Sequence, residues 1–171
     1  MLNRNTLVTT LGLTLTLALA LPAPAHPGLG QDAKAQITQR YREFDALILA
    51  NKEDTVLKWF GTYLTSDFFY ASRDKNKYPR AQFLEMVKNQ MAATKKVTEA
   101  VTKVGSIAVK GTVATVHADS STKALITADS KTLSLVDKDK TVDTWVLQKG
   151  QWKLKSSVQT DADTKMTPVE K

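Results

Sequence analysis

The 171-residue sequence contains no cysteine, which removes disulfides, iron–sulfur clusters and thiolate zinc sites from consideration. Stability has to come from packing. Imidazole is nearly as scarce, with His26 and His117 the two histidines. Seven glycines are too few and too scattered for a phosphate cradle, and no P-loop, G-x-G-x-x-G, G-x-S-x-G or H-E-x-x-H pattern occurs. Arginine is absent after Arg80, and the lysines that replace it are interleaved with acids rather than gathered in a block. Nucleic-acid sites favour clustered arginine, so dispersed lysine reads as solvated surface and sheet-edge protection, and no nucleic-acid partner is expected.

The first 25 residues have the organisation of an export signal. Arg4 stands in a short polar start, an apolar stretch runs from Leu7 to Leu21, and Ala23-Pro24-Ala25 supplies an A-x-A cleavage site. The apolar stretch is short and rich in threonine, so a signal peptide over 1–25 is expected rather than a retained membrane anchor. The expected location is periplasmic or extracellular. Arg4 is the only charge in that segment, so cleavage lowers the net charge of +7 by one. What is left matches one domain with a single core. Cleavage would leave His26 at the amino terminus, where amine and imidazole can chelate copper if a second histidine approaches, but no local ligand accompanies it and no metal site is expected.

Residues 26–31, with Pro27, Gly28 and Gly30, read as a flexible lead. From Asp32 to about Asn51, Ala33, Ile37, Tyr41, Phe44 and Ile48 recur at helical spacing and define a first amphipathic helix. A second helix, capped by Asp54 or Thr55, runs to about Leu64 with Val56, Phe60 and Leu64 on its core stripe and Trp59 and Tyr63 beside it. Asp67 to Ser72 is strand-like, and the polar loop from Arg73 to Lys77 leads to Pro79. Pro79 suits the first turn of a third helix that buries Phe83, Leu84, Val87 and Met91.

After Thr94 the composition shifts to valine, threonine, isoleucine and alanine. Strands are predicted near 97–109, 112–127, 132–137, 141–149 and 151–160, with a loose tail over 161–171. A two-residue turn at Lys149-Gly150 would pair Leu147 with Trp152, Trp145 with Leu154 and Asp143 with Ser156, all on the buried side. Asp143 then faces the interior in line with Trp145, where desolvation raises a carboxyl pKa. His117 alternates with Val116 and Ala118 and falls on the outer sheet face.

This order of pieces resembles the nuclear transport factor 2-like superfamily, the SnoaL-like and ketosteroid-isomerase-like group. The resemblance spans residues 32–160 and rests on Arg40-Tyr41, Asp54, Asp67-Phe68, Pro79 to Met91, Asp143-Thr144-Trp145 and Gly150-Gln151-Trp152-Lys153-Leu154. It implies an α+β fold: three N-terminal helices packed in a strongly bent antiparallel sheet, a cystatin-like cone with a pocket inside. It also implies frequent homodimerisation through the sheet, and no cofactor. In the isomerases a helix tyrosine and a protonated aspartate hold an enolate oxygen while another carboxylate moves the proton. Tyr41 and Asp143 fall on the first two positions, and Ser72 falls near the third, where serine cannot act as the base unaided. Asp74 lies two residues further on. The catalytic candidates are therefore Tyr41, Asp143 and Asp74. The residues expected to line a ligand pocket are Tyr41, Phe44, Trp59, Tyr63, Phe69, Asp143, Trp145 and Trp152. Three functions stand open: binding of a small, mostly apolar ligand without catalysis; an isomerase, cyclase or dehydratase; or a structural, dimer-forming module using Val142, Thr144 and Val146.

Overall fold

The computed structural model describes residues 27–128 and 130–169. The expected export signal over residues 1–25 and His26 lie outside the described residues. Helix α1 spans Pro27–Ala50, so helix replaces most of the expected flexible lead. Proline is compatible with a helix's first turn, where its missing N–H loses no bond. Ala33, Ile37 and Tyr41 are buried at four-residue steps, with Phe44 and Ile48 half-buried beyond them. Asn51 closes the helix with φ at 50°, a conformation asparagine tolerates, and its side-chain amide donates to the Thr94 carbonyl.

Helix α2 spans Glu53–Tyr63 and buries Val56 and Phe60. Its N-cap is Lys52, not Asp54 or Thr55; Glu53 and Asp54 instead lie in the first turn, where they complement the helix dipole. The Thr55 hydroxyl donates back to the Lys52 carbonyl at 2.7 Å. Strand β1 (Leu64–Ala71) follows at once, and β2 (Lys77–Pro79) folds back on it before helix α3 (Arg80–Ala93). Pro79 is thus the residue before α3. The expected buried stripe of α3 is only half-buried, and the helix contains no fully buried residue. It covers the inner face of the sheet without filling the space beneath.

Strands β3 (Thr94–Lys110), β4 (Val113–Ala128), β5 (Lys131–Gln148) and β6 (Gln151–Pro168) complete a six-stranded sheet in the order β2-β1-β6-β5-β4-β3. The sheet is mixed rather than antiparallel, because β1 pairs parallel with β6. A parallel neighbour needs a long crossover, and α3 with β3 to β5 provides it. The segments expected as separate strands at 132–137 and 141–149 are one strand, and the expected loose tail is the end of β6, with Leu135 opposite Met166 and Leu133 opposite Pro168. The polar stretch Asp137-Lys138-Asp139-Lys140 looks like a break in sequence. In the sheet it is an alternating strand segment with acids on one face and bases on the other.

The β5–β6 turn has Lys149 and Gly150 both at positive φ, 51° and 77°, as a two-residue hairpin requires. Leu147 pairs with Trp152 and Trp145 with Leu154. A register shift between Thr144 and Trp145 then places Ser157, not Ser156, opposite Asp143. The extra residue reverses the alternation of β6, so Trp152 and Leu154 face inward before it and Ser157 and Gln159 face inward after it. Further shifts in β3 and at Lys140–Thr141 mark where the long ribbon bends. His117 is exposed on the outer face, between the buried Val116 and Ala118.

The main core joins Ile37, Tyr41, Val56, Phe60 and Phe68 to Ala114, Val116, Trp145, Trp152 and Leu154. A smaller cluster of Val97, Ala124, Ile126 and Leu135 lies under the end of α1. Edge strand β3 is pinned by Asp45, which accepts from the Thr102 amide and hydroxyl, each at 2.7 Å. That side chain covers part of an edge that would otherwise be free to pair.

Candidate functional site

Two polar arrangements lie on the inner side of the sheet, and they differ in access. The first is closed. Tyr41 from α1 donates its hydroxyl to Asp143 Oδ2 at 2.5 Å and accepts from Trp145 Nε1 at 3.1 Å. The Tyr41 and Trp145 rings meet edge to face at 5.7 Å. Asp143 is 4% exposed and Trp145 1%. Burial pushes the Asp143 carboxyl up, opposed first by the Tyr41 hydroxyl and then by those of Ser157 and Thr141. Burial, then the neighbouring Asp143, raises the Tyr41 hydroxyl well above the ordinary phenol range. Asp143 Oδ1 closes no hydrogen bond among the described residues. Burial therefore favours the neutral carboxyl over a buried anion.

The second arrangement is open. A cavity of about 490 Å³ lies between α1, α3 and the inner faces of β3 to β6. Its apolar wall comes from Phe44 and Ile48 of α1, Phe60 of α2, and Phe83, Met86, Val87 and Met91 of α3. Across from them the sheet presents Val97, Ala100, Ala124 and Leu135. The cavity lies where the sheet-facing residues of α3 are only half-buried and two of the residues opposite, Ala100 and Ala124, are small.

Polar groups gather at the end formed by β1, β5 and β6. Asp137, Asp139, Tyr70, Ser157, Gln159 and Thr164 all line this part of the wall. Gln159 Nε2 donates to Asp139 Oδ1 and Thr164 Oγ1 to Asp137 Oδ1, both at 2.5 Å. Burial, then the adjacent Asp137, pushes the Asp139 carboxyl up to about 6. The Tyr70 hydroxyl is pushed up to about 12, by burial first and then by Asp139 and Asp137. A carboxyl near 6 in a partly apolar pocket can hold or release a proton near neutrality.

Of the eight residues expected to line the pocket, Phe44 does so. Tyr41, Asp143, Trp145 and Trp152 belong to the packed core instead, because the residues that best bury apolar area close around one another at that end of the sheet. Trp59 packs at a tilt between Phe44 and Tyr63, at 4.9 Å and 5.0 Å, and Tyr63 carries the Arg40 guanidinium over its ring at 4.4 Å. Phe69 points to the opposite side of β1, where Lys77 lies 5.1 Å above its ring; its neighbours Phe68 and Tyr70 face inward. Asp74 is exposed and 3.9 Å from Arg73, so it does not reach the cavity. Ser72 does not line it either. The Asp137–Asp139 pair was missed by sequence reasoning, although the acid-base alternation from 137 to 140 was the available signal.

A bent sheet closed by three helices around an internal cavity defines a class of small α+β pocket proteins. More narrowly, the chain has the nuclear transport factor 2-like fold. A candidate scytalone dehydratase from Novosphingobium aromaticivorans superposes with a TM-score of 0.65 at 13% identity, covering 81% of this chain and 91% of that one. A nuclear transport factor 2-like protein from Cytophaga hutchinsonii gives 0.58 at 12% identity, over 74% of this chain and 96% of the other. One from Prochlorococcus gives 0.58 at 15% identity, over 77% and 94%. No known sequence family and no curated protein matches the chain. At these identities the likeness defines the fold.

Proposed function

We propose that this is an exported, non-catalytic protein that holds a small, mostly apolar molecule inside the cone. The observation that carries this reading is the cavity of about 490 Å³ beneath α3, in the size range of small-molecule sites, with aromatic, aliphatic and methionine side chains on its helix side and polar side chains interspersed around the rest. The signal-like pattern of residues 1–25, with its apolar stretch and A-x-A site, is the sequence feature behind the exported part of this reading.

An isomerase of the kind suggested by Tyr41 and Asp143 needs both groups beside a reacting carbonyl, with a base opposite. Here the Tyr41 hydroxyl is engaged by Asp143 and Trp145, both buried, and neither Tyr41 nor Asp143 borders the cavity. Under the resemblance the position of the base falls near Ser72, which cannot act as one unaided. These features favour binding over catalysis. Mass spectrometry of small molecules released on denaturing the purified exported protein tests the proposal. A stoichiometric apolar compound is expected; protein that carries none and takes up none from a lipid and metabolite extract contradicts it.

A further inference from the structure

The chain is basic overall, with 24 Lys and Arg against 17 Asp and Glu, yet no lysine or arginine lines the cavity. Three carboxylates do. Asp45 is already occupied by the two donors of Thr102. Asp137 and Asp139 each accept one neutral hydrogen bond, and neither forms a salt bridge among the described residues. Surface acids behave differently: Asp67, Glu99 and Asp161 sit 3.6 Å, 2.8 Å and 4.0 Å from lysine ammonium groups.

Strand alternation produces this separation. Asp137 and Asp139 point inward from β5, their Cα atoms about 7 Å apart at the usual rise and their carboxyls close enough to hydrogen-bond each other, while Lys138 and Lys140 leave on the outer face. Facing the pair are Tyr70 from β1, Gln159 and Thr164 from β6, and Asp45 from α1 across the cavity. Arg73 lies at the rim, donating to the Ala162 carbonyl at 3.4 Å beside its own partner Asp74. The cavity therefore has an apolar side from α3 and two carboxyls at its β5–β6 end that form no salt bridge among the described residues, with no lysine or arginine in its lining.

We propose that the ligand is an organic cation: a protonated amine on an apolar body, its ammonium between Asp137 and Asp139 and its body against Phe83, Met86 and Met91. The inference rests on the cavity-binding reading and narrows it. Two carboxylates held near each other in a partly desolvated wall repel; a cation between them relieves that repulsion without a protein counter-charge. No third His, Cys, Asp or Glu joins the pair in a metal-holding group among the described residues, so an amine suits the site better than a bare metal ion.

Calorimetric titration of the full mature protein with 4-phenylbutylamine, 4-phenyl-1-butanol and 4-phenylbutyrate separates the claims. At pH 7.5 the amine is expected to bind at least tenfold more tightly than the alcohol, and the carboxylate least. At pH 5.0 the amine's advantage is expected to shrink by up to about tenfold, since a carboxyl titrating about 6 is then mostly protonated. The Asp137→Asn/Asp139→Asn variant is expected to bind the alcohol like wild type and to lose the preference for the amine. Equal binding of amine and alcohol at pH 7.5 overturns the cation proposal and leaves the cavity reading standing. Binding of none of the three counts against both. An amine preference that survives in the double variant assigns the cation to another place and overturns the proposal, while the wild-type comparison stands whether or not the variant folds.

Discussion

Replacing Tyr41 by phenylalanine removes one hydroxyl and leaves two buried groups without their partner. Asp143 Oδ2 loses a donor at 2.5 Å, and Trp145 Nε1 loses an acceptor at 3.1 Å. Each orphaned polar group costs about 1–3 kcal/mol in a dry core. The ring and its edge-to-face contact with Trp145 stay, so packing is conserved. A carboxyl already pushed toward its neutral form softens the loss, which gives an expected destabilisation of about 2–4 kcal/mol. For a domain of this size that corresponds to roughly 5–15 °C in melting temperature. Urea unfolding followed by tryptophan fluorescence reads it directly, and the m-value should not change.

The Asp143→Asn variant keeps an acceptor for Tyr41 and should lose less, about 1 kcal/mol, and the double variant should show a coupling of about 1–2 kcal/mol. Because the folded carboxyl is raised, its stabilising contribution is complete below the unfolded pKa and declines as pH rises toward the folded one. That decline should be missing in Asp143→Asn. A Tyr41→Phe protein within about 0.5 kcal/mol of wild type would refute the view that this triad is a cohesive part of the core.

Asp139→Asn should be more stable than wild type at pH 7. The shift to about 6 would correspond to about 3 kcal/mol, reduced to roughly 1 kcal/mol because the group is partly exposed and screened by solvent, and the gain should vanish near pH 4. Asp45→Ala should speed hydrogen exchange at the Thr102 amide and cost about 1.5–3 kcal/mol, since one side chain supplies both acceptors to edge strand β3. Val87→Trp should fill the cavity and abolish ligand uptake while changing stability by less than about 1.5 kcal/mol, because α3 has no fully buried side chain to displace.

Helices were legible because Ala33, Ile37 and Tyr41, or Val56 and Phe60, repeat at four-residue spacing, and this periodicity survives whatever the helix packs on. The aromatic hairpin was legible for a similar reason, down to the Leu147–Trp152 and Trp145–Leu154 pairs. The bulge beyond them was not. Nothing local in Lys155-Ser156-Ser157 marks an inserted residue, yet it decides that Ser157 faces Asp143. The parallel β1–β6 pairing is set by contacts nearly 90 residues apart, beyond any local pattern.

The site was partly legible. Tyr41 and Asp143 are brought together across 102 residues of chain, as the resemblance implied, but in the core and not at the cavity. Tryptophans drew attention as pocket walls, whereas such large side chains are also the ones a small core buries first. Half-covered residues of α3, with Ala100 and Ala124 of the sheet opposite, line the cavity instead. Charges at Asp137 and Asp139 resembled a turn because four consecutive charged residues are rare inside a strand.

The cavity under α3 is open and separate from the Tyr41–Asp143–Trp145 core. Titration with the neutral fluorescent ligand N-phenyl-1-naphthylamine tests that most directly, using wild type, Val87→Trp and Tyr41→Phe at 25 °C. Saturable binding at one site per chain is predicted for wild type and for folded Tyr41→Phe, with loss in Val87→Trp. No saturable binding by wild type, or undiminished binding by Val87→Trp, would contradict it.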